Sequence, residues 1–102
     1  YSVLTAAGID ELADLKPFGI RSLECGGKPV TVSRTGYTGD LGYELWTDPD
    51  HAEPLWDAVF GVQGQYDIRA MGLDALEMVR IEAGFIMPGF DFNAANSTIR
   101  AG

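Results

Sequence analysis

Alternation of apolar and polar residues is the clearest pattern in the first half of the chain. Ile20–Glu24 and Pro29–Arg34 both alternate, and a glycine pair, Gly26-Gly27, lies between them. Period-two alternation is typical of a strand with one buried face, and glycine pairs suit the two-residue turns of antiparallel hairpins. The pattern therefore predicts a β-hairpin over this segment.

A shorter alternating stretch follows at Tyr43–Thr47, which reads YELWT. Successive side chains of a strand point to opposite faces. The stretch therefore predicts a third strand, with its odd-numbered residues on one face and with Glu44 and Trp46 on the other.

Three stretches have the apolar spacing of amphipathic helices. The first is Ser2–Leu15, in which Gly8 and Asp10 are candidate breaks. The second starts at Asp48-Pro49-Asp50, with Asp50 and Glu53 in the spacing of an N-terminal capping pattern, and ends at Gly61. The third is Met71–Ala83, which ends where Gly84 follows.

These elements predict one α+β domain over residues 1–102, in which a small antiparallel sheet has amphipathic helices packed on one face. A length of 102 residues allows one small hydrophobic core. Residues 85–102 have no period and are predicted to form an irregular tail. Because the chain begins at Tyr1 without an initiator methionine, we expect it to be an internal fragment of a longer protein.

The charge of the chain excludes some classes of partner. The formal net charge is −8, and only 7 residues are Lys or Arg. Nucleic acids and anionic membranes both require a basic surface, so neither is expected as a partner. No apolar run approaches the ~20 residues of a membrane-spanning helix.

The residues that usually build metal sites and disulfides are scarce. Cys25 is the only cysteine and His51 the only histidine. No metal site, disulfide or Ser-His-Asp triad is therefore predicted. We interpret Cys25 as a reduced intracellular thiol.

Ser33–Trp46 (SRTGYTGDLGYELW) is the segment with the most chemical content. Its pattern is a strand, a glycine-rich turn and a returning strand, which can present the ring of Tyr37 and the carboxylate of Glu44 to one small ligand. The glycine spacing is not that of a dinucleotide-binding loop. From the pattern alone, the favoured interpretation is a tight β-turn with surface polar residues, in which Tyr37 packs and Glu44 is solvated.

Two segments carry a family resemblance. Ser33–Trp46 resembles the signature of the glycine cleavage system T-protein (aminomethyltransferase) family, and Met78–Gly84 (MVRIEAG) resembles the R-L-E-A-G helix end of the same family. The resemblance implies a divergent internal fragment of a folate-dependent aminomethyltransferase. The fragment would supply part of the folate-binding fold and of the tetrahydrofolate pocket.

The resemblance also implies roles for single residues. Tyr37 and Glu44 occupy the positions that lie against the pterin, so they are the expected cofactor-binding residues, and a carboxylate can accept two hydrogen bonds from an amino-pyrimidine edge. The catalytic aspartate of the family lies upstream of Tyr1, so no catalytic residue is expected in this chain. Asp40, at the acidic position of the turn, is not assigned a catalytic role.

The second segment departs from the family pattern. Leu76 stands where the type enzymes have an arginine that contacts folate. Arg80 matches the second arginine of the pattern, for which the resemblance implies a structural role. Its expected partner is Glu77, three residues earlier on the helix surface, where ion pairs are weak.

The resemblance leaves several functions open. A methylated amine or an aminomethyl group is the expected one-carbon donor, with a lipoyl carrier protein as a further candidate partner, in the cytoplasm or the mitochondrial matrix. The alternatives are a folate-dependent demethylase, a non-enzymatic folate-binding regulatory or assembly protein, and a packing module without a ligand. The isolated chain is expected to be inactive and to form a homodimer through its exposed apolar faces.

Overall fold

The computed structural model describes residues 1–92 and confirms the α+β class. The chain divides into two compact units, one formed by Tyr1–Gly36 with Leu41–Ala70, and one formed by Tyr37–Asp40 with the residues from Met71 onward. The elements in chain order are α1 (Ser2–Ala6), β1 (Ile20–Cys25), β2 (Lys28–Ser33), β3 (Glu44–Trp46), α2 (Pro49–Phe60) and α3 (Leu73–Glu82).

The first unit contains an antiparallel sheet with the strand order β1-β2-β3. Gly26 and Gly27 connect β1 to β2 with φ values of 57° and 75°, in the left-handed region that glycine adopts without strain. Two such residues make the hairpin turn that matches the natural twist of the strands. The predicted hairpin is therefore confirmed.

One face of the sheet carries the hydrophobic core. Three partly buried residues of α2, Leu55, Ala58 and Val59, pack against this core, as do Leu23, Tyr43 and Leu45 of the sheet region. The buried members of the core are Leu4, Ile9, Leu12, Leu15, Cys25, Val30 and Val32.

Helix α1 is much shorter than the full Ser2–Leu15 stretch, so the full extent was wrong, whereas the candidate break at Gly8 is confirmed. Gly8 has a φ of 88°, and the N–H groups of Gly8 and Ile9 bond back to the carbonyls of Thr5 and Leu4 at 3.0 and 2.9 Å. These two bonds form a Schellman motif, which ends a helix. Beyond Gly8 the backbone is irregular, but it still buries Leu12 and Leu15 in the core.

Helix α2 starts within the predicted Asp48-Pro49-Asp50, but its cap differs from the predicted one. Its N-cap is Asp48, no side chain caps it, and Pro49 occupies the first turn, where the fixed φ of proline suits a helix. The prediction of Asp50 as the cap was therefore wrong, whereas the predicted end at Gly61 is confirmed. Over residues 1–92, no helix combines the length and the apolar character needed to cross a membrane.

In the second unit, α3 ends as the sequence predicts. Gly84 has a φ of 78°, and the N–H groups of Gly84 and Phe85 bond back to the carbonyls of Ile81 and Arg80, each at 2.9 Å. This is a second Schellman motif. Turns and an isolated bridge follow up to residue 92, and the rest of the predicted tail, residues 93–102, lies outside the described residues.

Candidate functional site

Glu44 opens β3 on the face of the sheet opposite the core. It is the register partner of Ser33, and Trp46 is the partner of Thr31. Side chains of directly paired residues lie side by side on one face of a sheet. The pairing of β2 with β3 therefore brings Ser33 next to Glu44, with Trp46 on the diagonal.

A hydrogen-bonded network holds the Glu44 side chain. The hydroxyls of Ser33 and Thr35 lie 2.7 Å apart, and both contact Oε2 of Glu44, with the Ser33 oxygen at 3.3 Å. Trp46 donates its indole N–H to the Ser33 hydroxyl at 3.4 Å. Ser33 is only 5% exposed, so the centre of this network is shielded from water.

An open cavity of about 390 Å³ lies over this network, with a lining that is mostly apolar. Phe18 and Trp46 contribute aromatic rings, and Glu44 contributes the only ionisable group of the lining. The complete lining is Phe18, Ile20, Thr31, Ser33, Thr35, Glu44 and Trp46. A cavity of this size with apolar walls and few polar groups suits a small, flat organic ligand.

The backbone fixes Phe18 in an unusual conformation. Its φ of 63° is rare for a residue with a side chain, and its N–H donates to the carbonyl of Arg34 at 3.0 Å. Gly19 follows, and a Cβ there would approach the Lys16 carbonyl oxygen to 2.8 Å. The tight turn leaves the Phe18 side chain 85% exposed beside the cavity, and strained backbone of this kind concentrates at functional sites.

Tyr37 lies in the second unit, whereas Glu44 lies in the first. The Tyr37 hydroxyl donates to the carbonyl of Ile86 at 2.7 Å, and its ring packs against Phe85 with centroids 5.5 Å apart. The ring stays 37% exposed. The hydroxyl end of Tyr37 is therefore anchored, while part of its ring remains accessible to solvent.

Arg80 holds the segment that contacts Tyr37. Its side chain, 2% exposed, bonds to the carboxylates of Glu77 and Asp91 and donates to the Phe85 carbonyl at 2.9 Å. The expected pair with Glu77 is present, but the expected surface setting was wrong, because Arg80 is buried. Hydrogen bonding to the Glu77 carboxylate, with the Asp91 carboxylate beside it, raises the pKa of Arg80 despite its burial.

The two other positions that the sequence singled out belong to the second unit. Asp40 lines a separate open cavity of about 330 Å³ with Glu82 and Ala83, and Leu76 is a partly buried residue of α3. Neither residue is among those that line the cavity over Glu44.

Sequence reasoning missed Phe18 and the hydroxyls of Ser33 and Thr35. The hydroxyls could have been found, because the predicted hairpin and returning strand already place alternate residues on one face. Phe18 could not, since nothing in the sequence marks its left-handed backbone.

Comparison with known proteins identifies relatives. Residues 2–102 match the family described as the GCVT N-terminal domain. A trimethylamine-oxide aldolase of Ruegeria pomeroyi is 54% identical over 76 residues, which cover 74% of this chain and 10% of that protein. An aminomethyltransferase of Bacteroides fragilis is 41% identical over 92 residues, which cover 89% of this chain and 26% of that protein.

An aminomethyltransferase of Thermotoga neapolitana is 35% identical over 92 residues, which cover 87% of this chain and 25% of that protein. The chain thus spans about a tenth to a quarter of the length of these relatives. The family match includes both signature segments, Ser33–Trp46 and Met78–Gly84. The chain therefore belongs to the GCVT N-terminal domain family, the T-protein family that its signatures resemble.

Proposed function

We propose that this chain is part of a folate-dependent one-carbon transferase and contributes Glu44 to its tetrahydrofolate pocket. The observation that carries the proposal is the cavity over Glu44, in which a single carboxylate faces apolar and aromatic walls. A pterin needs both features, because its ring is flat and its amino-pyrimidine edge carries adjacent N–H donors.

The residues present fit this ligand. A carboxylate accepts two parallel hydrogen bonds from adjacent N–H donors, and aromatic side chains pack against a flat heterocycle. Tetrahydrofolate, when bound, supplies the nitrogen that accepts the one-carbon unit. Glu44 would hold the pterin edge, while Phe18 and Trp46 would shield the ring from water.

Tyr37 is the second proposed folate contact. The support is its place in the family signature and its ring, which is anchored at the hydroxyl but still accessible. Its role is proposed independently of that of Glu44.

The test of the pocket is Glu44→Gln in the full-length protein that contains this chain. Losing a charge-assisted bidentate contact should weaken tetrahydrofolate binding by about tenfold to a hundredfold. Calorimetry measures the affinity. Glu24→Gln removes an exposed carboxylate of β1 outside this cavity and serves as the matched control. An unchanged affinity in Glu44→Gln would contradict the proposal.

For the one-carbon donor, we propose a methylated amine in its N-oxide form rather than an aminomethyl-lipoyl group. Two observations favour it: Leu76 stands at the position of the folate-contacting arginine of type aminomethyltransferases, and the relative at 54% identity is named for trimethylamine oxide. Release of one methyl carbon of trimethylamine oxide as formaldehyde leaves dimethylamine. The N-oxide oxygen makes the step balanced without an outside oxidant.

An assay with two donors tests this choice. The full-length protein is given tetrahydrofolate with either trimethylamine oxide or an aminomethyl-lipoyl carrier, and methylene-tetrahydrofolate is measured. We expect faster product formation with the amine oxide. Rates that favour the lipoyl carrier would overturn the donor, and folate binding without turnover of either donor would favour the non-enzymatic alternative.

A further inference from the structure

The four residues Trp46, Ser33, Thr35 and Glu44 form one connected chain of hydrogen bonds in the first unit. An exposed glutamate on a strand face normally samples several rotamers in water. Here its neighbours on β2 and β3 hold it from one side.

Hydrogen-bond chemistry fixes the direction of the chain. The Trp46 indole can only donate, so the Ser33 oxygen accepts from it. Thr35 closely contacts Oε2 of Glu44, and a carboxylate can only accept, so the Thr35 hydroxyl donates there. Thr35 then has no proton left for Ser33, so the single Ser33 proton goes either to the Thr35 oxygen at 2.7 Å or directly to Oε2 of Glu44 at 3.3 Å. Every proton therefore points from Trp46 towards Glu44.

The hydrogen-bond chain also leaves one oxygen of the Glu44 carboxylate available to a ligand. Both hydroxyl contacts of Glu44 go to Oε2. Within residues 1–92, Oε1 of Glu44 accepts no hydrogen bond from the protein. One oxygen is thus anchored, and the other can still accept a donor from a ligand in the cavity.

The same hydrogen-bond chain fixes the position of the Trp46 indole, which forms one wall of the cavity. The Trp46 ring is 61% exposed, yet its N–H is tied to the buried Ser33 hydroxyl. A ring anchored at its polar end presents a flat apolar surface with little loss of side-chain entropy when a ligand binds. One hydrogen-bond chain therefore anchors both the Trp46 wall of the cavity and the Glu44 carboxylate.

We propose that Ser33 and Thr35 are positioning residues that preset Glu44 and Trp46 to receive a flat heterocycle with adjacent N–H donors. This inference rests on the proposed function, in which that heterocycle is the pterin. It gives the first Ser and Thr of the SRTGYTG segment a purpose beyond the turn. It also makes Trp46 a part of the binding wall.

The test is a double-mutant cycle on tetrahydrofolate affinity in the full-length protein. Thr35→Val removes the donor to Glu44 at nearly constant volume and should weaken binding by about three- to tenfold. Thr35→Ser keeps the hydroxyl and should restore affinity to within about twofold. In a Glu44→Gln background, Thr35→Val should have less than about a twofold further effect, because the residue acts through Glu44.

A matched control and a second variant complete the design. Thr47→Val removes a hydroxyl that donates to the Pro29 carbonyl at 2.9 Å outside the cavity, and should bind as the wild type does. Ser33→Ala breaks the chain one step earlier and provides the test if Thr35→Val does not fold, which thermal unfolding reveals.

The outcomes distinguish failure of the positioning role from failure of the proposed function. Weaker binding in Glu44→Gln, with wild-type affinity in Thr35→Val and Ser33→Ala, would overturn the positioning role and leave the proposed function standing. Additive effects of Thr35→Val and Glu44→Gln would also overturn it. A wild-type protein that does not bind tetrahydrofolate would overturn the proposed function, and the inference with it.

Discussion

Glu44 and Tyr37 come from one signature but have different kinds of support. Glu44 is held by neutral donors close to it in sequence, the hydroxyls of Ser33 and Thr35, on a regular sheet. Tyr37 is held by the carbonyl of Ile86, a residue 49 positions later in the chain. Local pairing of two strands is enough for the first, whereas the second depends on a distant segment.

That distant segment depends in turn on one buried cation. Arg80 ties the Phe85 carbonyl and the Asp91 carboxylate together with Glu77. Asp91 also accepts the N–H of Met87 at 2.7 Å. The comparison shows why the second signature segment, MVRIEAG, goes with the first: its arginine and its glycine stop shape the backbone on which Tyr37 rests.

The largest effect should come from Arg80→Met. Arg80→Met removes the buried cation that bonds to the Phe85 carbonyl and to the partly exposed carboxylates of Glu77 and Asp91, so this segment loses its central anchor. Hydrogen exchange of the amides of residues 85–91 should accelerate by at least about a hundredfold. The amides of β2 and β3 should keep their protection, because hydroxyls and strand pairing support them.

Arg69→Met is the control for this change. Arg69 is also paired with an aspartate, Asp67, but its side chain is 82% exposed. Exposed pairs contribute little, so no change in exchange is expected. Equal loss of protection in both units of the Arg80 variant would contradict this comparison. It would mean that Glu44 and Tyr37 are not held by separate contacts.

A smaller effect is expected at the second glycine of the signature. Gly39 has a φ of 81°, and a Cβ there would lie 2.7 Å from the Cβ of Ala83. Gly39→Ala should destabilise the second unit by about 2–4 kcal/mol, through left-handed backbone strain and overcrowding together. Chemical denaturation measures this change.

The first glycine of the signature provides a matched comparison for Gly39→Ala. Gly36 lies in the first unit without a positive φ, and its Cβ would meet its nearest neighbour at an ordinary 3.7 Å. Gly36→Ala should therefore change stability by less than about 0.5 kcal/mol. Adding Ala83→Gly to Gly39→Ala should restore only the part due to crowding. Equal costs at Gly36 and Gly39 would count against this account.

The smallest effect should follow from pH. The N–H of Met87 and then the guanidinium of Arg80 hold the pKa of Asp91 below its ordinary value. A lowered folded-state pKa contributes stability above the ordinary carboxyl value, and this contribution is lost as pH falls through the lowered value. The segment around Met87 should therefore loosen only below about pH 4.

Amide NMR spectra between pH 5 and pH 2 follow this loosening at residues 85–91. Asp91→Asn removes the titrating group, so the pH dependence in this segment should disappear. Loosening that persists in Asp91→Asn would assign the effect to another carboxylate.

The sequence by itself determined the elements whose signals are local. The alternation and the glycine pair defined the hairpin, and Gly84 defined the end of α3, because turn chemistry depends on adjacent residues. The two signature segments identified the family. They also marked Glu44, and the same alternation held enough information to place Ser33 and Trp46 on its face.

Only the tertiary structure decided which competing local signals prevailed and which distant groups meet. The apolar spacing of Ser2–Leu15 suited a helix, yet Gly8 ended it and the core took its leucines from irregular backbone. Nothing local indicated that Arg80 is buried and bonds to Asp91, or that Ile86 accepts the Tyr37 hydroxyl. Such contacts form when separate segments pack together, so their energies are not encoded in the pattern of any one segment.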